Sequence, residues 1–338
     1  MDKEKLDKVK LDKEKIDKED IDKEIKKITS DSSGISASEA NEKLARKYTE
    51  DAKKVKKKNK NTVYNILIVI FAAIFLFSAG YLGLYYYKSY KSEKNFDKLR
   101  DLVEEPDFDE NNIPEDLPED VIVEKTDEND QPLEKPRLFV YIDGKKVQYK
   151  YKELYSKNHD FIGWLKIDGT KINYPVMLTP DDEEYYIHRD YNKDWNDSGT
   201  PFVDTDSNVV KPSDNVIIYG HHMKSKTMFY DLGYYEEEDF YKKHKYIEFN
   251  TIYGDHKYEV IAAFKTKIKD KDDTSFKYYT FFNAADKEEF DYFVENIKDL
   301  TTYEIPTTAE YGDKLLTLST CYSHTENGRF VVVAKRIE

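Results

Sequence analysis

A chain of 338 residues could hold two or three domains, but 39% hydrophobic against 36% charged residues, unevenly spread, confines a compact core to part of it. The formal net charge of -14 argues against a phosphate-seeking surface and so against nucleic acid as a partner. The single cysteine, Cys321, rules out an intrachain disulfide and a cysteine-rich metal site, and leaves a thiol that is either a small buried hydrophobe or a reactive group.

Residues 1–60 read as a charged, low-complexity tail opening on pentapeptide repeats such as Leu11-Asp-Lys-Glu-Lys. At roughly 100° per residue, five residues carry Leu6, Leu11, Ile16 and Ile21 around the helix rather than down one stripe. Residues 61–87 are expected to cross the membrane. From Val63 to Tyr87 no residue is charged, which suffices for a helix through a hydrocarbon core of roughly 30 Å. Lys53, Lys54, Lys56, Lys57, Lys58 and Lys60 crowd its N-terminal side, and Lys88, Lys91 and Lys94 are sparser beyond it. That bias predicts a single-pass signal anchor in the cell membrane, with a cytoplasmic N-terminus and the bulk of the chain outside.

Residues 88–136 are acidic and interrupted by Pro106, Pro114, Pro118, Pro132 and Pro136, so an extended extracellular stalk is expected, with a short helix near Asp97 to Glu104. Residues 137–338 form the expected folded domain. Eight strand-like runs occur there: FVYIDG, FIGWLKI, KINYPVML, NVIIYG, YIEFNTIY, YEVIAAF, KLLTLSTC and RFVVVAKRI. They predict a mainly β fold, a closed or nearly closed eight-stranded barrel. One helix is expected at Tyr149 to Asn158 and another at Asp286 to Leu300, where Phe290, Phe293 and Ile297 recur at helical spacing before the cysteine strand.

Cys321 ends the apolar run from Lys314, where a side chain can emerge at a barrel rim, and Arg329 opens the next run. A cation facing the sulfur would favour the thiolate and hold a developing oxyanion. A thiol nucleophile also needs an acid or base, usually histidine. His221 and His222 follow the run Asn215 to Gly220, whose glycine offers a turn that could present an imidazole. His324 sits in a polar Ser-His-Thr setting, and His159, His188, His244 and His256 read as surface residues. The acidic clusters at 181–184 and 236–239 lack an EF-hand pattern, so neither a metal nor a cofactor is expected.

Thr317-Leu-Ser-Thr-Cys321 with Arg329, together with Tyr219-Gly-His-His-Met223, resembles the active-site signature of the sortases, over roughly Tyr151 to the C-terminus. The chain is most similar to class B, through Gly163-Trp-Leu-Lys-Ile-Asp-Gly-Thr170, Asn173-Tyr-Pro-Val176, Gly199-Thr-Pro-Phe-Val-Asp204 and the helical stretch before the cysteine strand. The resemblance implies a sortase-like barrel with Cys321 as nucleophile, His221 as general acid/base, Arg329 as the third essential residue, and Ser319 and Thr320 lining the substrate groove. It implies a Gram-positive cell-wall enzyme that cleaves a C-terminal sorting signal after threonine through a thioester, then joins the surface protein to an amine of a cell-wall peptide or peptidoglycan precursor. A purely hydrolytic cysteine peptidase, or a non-enzymatic membrane-tethered sensor with an unreactive buried cysteine, remain open as alternatives.

Overall fold

The computed structural model describes residues 23, 26, 27, 30, 36–103, 117–126, 131–321 and 327–338. The pentapeptide repeats, except Lys23, and Pro106, Pro114 and His324 lie outside the described residues. The chain divides into two units, Met1–Gly83 and Leu84–Glu338.

Helix α1 spans Ala37–Arg100. From Thr62 it is long and apolar enough to cross a membrane, and Ile68, Phe71, Phe75 and Phe77 stand exposed, as side chains meant for a lipid environment would. Its last turns, from Leu84, belong to the second unit. There Ser89, Ser92, Phe96 and Leu99 are buried at alternating spacings of three and four, one stripe of a helix laid on a core. Phe96 packs edge-on to Tyr174, with centroids 5.0 Å apart. Arg100 pairs with Glu93 at 2.8 Å and donates from Nε to the Asn173 carbonyl.

The expected extended stalk is therefore corrected. Residues 88–100 are helical because four side chains on one face find a partner surface. Beyond Pro118, β1 (Ile122–Thr126), β2 (Pro132–Ile142) and β3 (Lys145–Gln148) form a three-stranded antiparallel sheet. The prolines are accommodated without breaking it. Pro132 opens its strand, and Pro136 lies opposite the register shift between Glu124 and Thr126, where no ladder bond is lost.

The eight-stranded closed barrel is present. Its strands are β4 (Phe161–Lys166), β5 (Asn173–Met177), β6 (Phe202–Val203), β7 (Asn215–Gly220), β8 (Tyr246–Thr251), β9 (Lys257–Lys267), β10 (Leu315–Cys321) and β11 (Gly328–Arg336). They neighbour one another in the order β10-β11-β9-β8-β4-β5-β6-β7, closed by the parallel pair β7 and β10. The run FVYIDG contributes to β2 of the separate sheet, and its expected place in the barrel is taken by β6, whose two residues are too few to show an alternation. Helix α2 (Lys152–Lys157) follows a single turn at Tyr149–Tyr151, α3 (Glu238–Lys243) precedes β8, and α4 (Lys287–Leu300) lies between β9 and β10.

Strand parity sets the two cores. Leu316 and Leu318 of β10, with Phe330, Val332 and Ala334 of β11, point into the barrel. Leu315, Val331 and Val333 point outward and are covered by Phe290, Phe293 and Ile297 of α4. This double cover explains why β10 reads as a nearly continuous apolar run. Asp286 caps α4 by accepting from the Glu289 N–H at 3.0 Å.

Candidate active site

Along the outward face of β10, every second residue from Leu315 leads to Ser319 and then Cys321. Cys321 is directly paired with Arg329 across the antiparallel β10–β11 ladder, and side chains so paired stand about 5 Å apart at Cβ. On the other side, Thr320 pairs with Gly220 of β7, so His221 follows one position beyond the last paired residue, just as Cys321 does. His221 shares the parity of Asn215, Ile217 and Tyr219. Three adjacent strand ends thus put imidazole, thiol and guanidinium side by side on one outer face. The expectation of a barrel rim is refined accordingly.

Gly220 is required by close packing, because a Cβ there would lie 2.7 Å from the Phe229 ring. Phe229 is fully buried and its N–H donates to the His221 carbonyl at 2.9 Å, fixing the backbone from which the imidazole projects. The ring is held as well, by a 2.7 Å contact between Nε2 and the Ile187 carbonyl. A carbonyl only accepts, so Nε2 carries the proton, and Nδ1 is left to exchange one. Burial pushes the His221 pKa down, the Ile187 bond pulls it back in part, and the neighbouring His188 ring lowers it again.

Cys321 is exposed, which does not suit a small structural hydrophobe. Arg329 is half-buried and donates from Nη1 to the Gly328 carbonyl at 3.0 Å. All three residues border a cleft of about 310 Å³ that is also lined by Glu183, Glu184, Ile187, Tyr219, Ile268, Tyr279, Ser319 and Thr320. Ser319 and Thr320 border it as buried groups, each 1% exposed. The Ser319 hydroxyl is paired with the Tyr278 hydroxyl at 2.7 Å, and burial pushes the Tyr278 pKa up to about 12. Tyr219 donates to Asp204 at 2.8 Å, and burial pushes the pKa of that carboxyl up.

The remaining histidines separate. His222 turns to the Tyr230 ring, 4.5 Å away, and His244 bonds the Asp168 carbonyl through Nδ1. His159 faces Asp143 at the surface. His188 and His256 depart from the surface reading: each has a buried Nδ1 without a hydrogen-bond partner among the described residues, and His188 stacks on His221. The signal for His188 was faint, a histidine following Tyr185, Tyr186 and Ile187. Among the described residues, no three His, Cys, Asp or Glu side chains are grouped to hold a metal ion.

A thiol, an oriented imidazole and a guanidinium on one cleft can carry out nucleophilic acyl transfer. Comparison with known proteins leads to the same chemistry. A family model described as the Sortase domain matches residues 165–337. Sortase B of Staphylococcus aureus is 33% identical over 195 residues, covering 57% of this chain and 76% of the relative. Sortase B from B. anthracis in complex with AAEK1 superposes with a TM-score of 0.56 at 25% identity, covering 75% of this chain and 99% of that one. A Staphylococcus aureus sortase B–substrate complex superposes at 0.52 with 32% identity, covering 57% and 86%.

Proposed function

Because the chain belongs to the sortase family and is a cysteine transpeptidase of class B, we propose that it cleaves a C-terminal sorting signal after threonine and joins the surface protein to a cell-wall peptide amine. The observation that carries this reading is the strand register, which sets Cys321 beside Arg329 on one strand and level with His221 on the other. Cys321 attacks the threonine carbonyl, and Arg329 donates hydrogen bonds to the oxyanion. His221 takes the Cys321 proton on Nδ1 as the sulfur attacks and, as imidazolium, passes it to the departing amine, giving a thioester. The incoming amine, from a cell-wall peptide or a peptidoglycan precursor, then loses its proton to neutral His221 as it attacks the thioester and releases the sulfur. Ser319 acts on the substrate groove indirectly, through its bond to Tyr278, and Thr320 through the packing beneath Cys321.

The apolar helix from Thr62 serves as the membrane anchor in this reading, and the lysines before it favour a cytoplasmic N-terminus with the catalytic domain outside. That placement brings the thiol to the side where cell-wall amines occur.

Mass spectrometry of residues 84–338, incubated with peptides bearing sorting-type signals with and without an amine acceptor, tests the reading. An adduct on Cys321 after cleavage at threonine, and an amine-linked product only when acceptor is present, is the expected result. Cleavage retained by Cys321→Ala would sink the mechanism, and release of free acid alone with acceptor in excess would leave a hydrolytic peptidase.

A further inference from the structure

His221 is held from two directions by consecutive residues. In the plane of its ring, Nε2 bonds the Ile187 carbonyl at 2.7 Å. Over its face lies the His188 ring, centroid to centroid 5.4 Å at an interplanar angle of 23°. His188 also stacks on Trp195, 5.1 Å away at 28°. His188 therefore stacks on two rings, and no hydrogen bond secures its buried Nδ1 among the described residues. Stacking is thus the main contact that orients it among the described residues, with the Asp197 carboxylate nearby.

The second of those rings is itself anchored. Trp195 is 70% exposed, and an indole so open to water needs a reason to keep one orientation. Its Nε1–H donates to Asp197 Oδ1 at 2.9 Å, while Asp197 Oδ2 takes an ion pair from Lys88 of α1 at 3.1 Å. Asn196 donates to Ser92 of α1 at 2.8 Å and takes its own backbone bond to the His188 carbonyl, and Arg189 and Trp195 form a β-bridge. The turn of α1 from Lys88 to Ser92 thus grips the 195–197 loop, the loop holds Trp195, Trp195 holds His188, and His188 lies on the imidazole facing the thiol.

We infer that His188, clamped by Trp195, is a positioning residue that keeps the His221 ring in the orientation proton transfer needs, and that the Lys88–Ser92 turn of α1 supports it. The inference rests on the acid/base role proposed for His221. A carbonyl bond alone leaves a ring free to tilt about that bond, and a stacked face removes the tilt. The contribution is geometric, so it falls on the chemical step rather than on substrate binding. His188 has no contact with the sulfur or with a reacting atom in this scheme. A ring of similar shape without nitrogens can replace it.

The test is steady-state transpeptidation by the full chain in detergent, with His188→Ala, His188→Phe, Trp195→Ala and His221→Ala beside the parent. His188→Ala is expected to lower kcat about tenfold or more with KM nearly unchanged, His188→Phe to recover most of that loss, and Trp195→Ala to give a smaller fall of the same kind. The inference is overturned by a kcat within about twofold of the parent in His188→Ala, or by equal losses in the Ala and Phe variants. A loss that follows the melting temperature across the set also overturns it, since a merely structural role would do this. His221→Ala separates the two levels. If it stays active, the acid/base reading of His221 fails and this inference with it; if it is inactive while His188→Ala is unimpaired, only this inference fails.

Discussion

A guanidinium presents a planar fork of donors, whereas an ammonium presents a point charge, and that difference matters at Arg329. Arg329→Lys keeps the charge beside Cys321 and loses the fork, so thioester formation measured by mass spectrometry in a single turnover is expected to slow about a hundredfold. Near-parent rates would reduce Arg329 to a source of local charge. His256 has a different consequence, for stability. Burial chiefly, with Arg336 and Arg137 adding to it and Asp255 opposing, pushes its pKa down from 6.5 to about 4. The unfolded chain takes up this proton near pH 6.5 and the folded chain only near pH 4, so stability is full above 6.5 and falls through that window. The loss reaches about 3 kcal/mol at roughly 1.4 kcal/mol per pH unit. Urea midpoints at pH 7 and 4.5 should therefore differ more for the parent than for His256→Gln; equal differences would remove His256 from the acid response. That Cys321, His221 and Arg329 would come together at strand ends was legible in the chain, because Cys321 ends, His221 follows and Arg329 opens a strand-like run. His188 and His256 could not, since a stacked partner or a burying neighbour comes from other elements and leaves no local pattern.

Among the elements, α4 was legible because Phe290, Phe293 and Ile297 repeat at helical spacing, and its start is fixed by one side chain. Asp286→Ala removes the cap on the Glu289 N–H and is expected to lower stability by about 1 kcal/mol in urea denaturation, with cleavage by Cys321 unchanged. A loss of activity without loss of stability would mean that α4 does more than cover Val331 and Val333. The end of α1 was misread for a physical reason. Ser89 and Ser92 are polar and Phe96 and Leu99 are sparse, so the buried stripe appears only once Tyr174 and Asn196 supply the surface it rests on. The prolines of β2 point away from a strand in the sequence, yet the first position of a strand and a bulge both tolerate them.

At the scale of the molecule, the boundary of the folded catalytic unit moves from the expected residue 137 to Leu84, and a stability difference follows. A form beginning at Asp101 lacks Phe96 and Leu99, whose burial is worth about 2 kcal/mol each, so it should melt roughly 10 °C below a form beginning at Leu84. Equal melting by circular dichroism would show that the helix merely leans on the barrel. The barrel's closure carries a further consequence. Leu315 to Thr320 pair with Asn215 to Gly220, strands about 100 positions apart in the sequence, and Cys321 meets Arg329 only through the strand that follows it. Such distant pairings form late, after the local ones. A nascent chain that has not yet released β11 therefore presents Cys321 and His221 without the guanidinium of Arg329 beside them, and the acyl transfer proposed above has to wait for that strand.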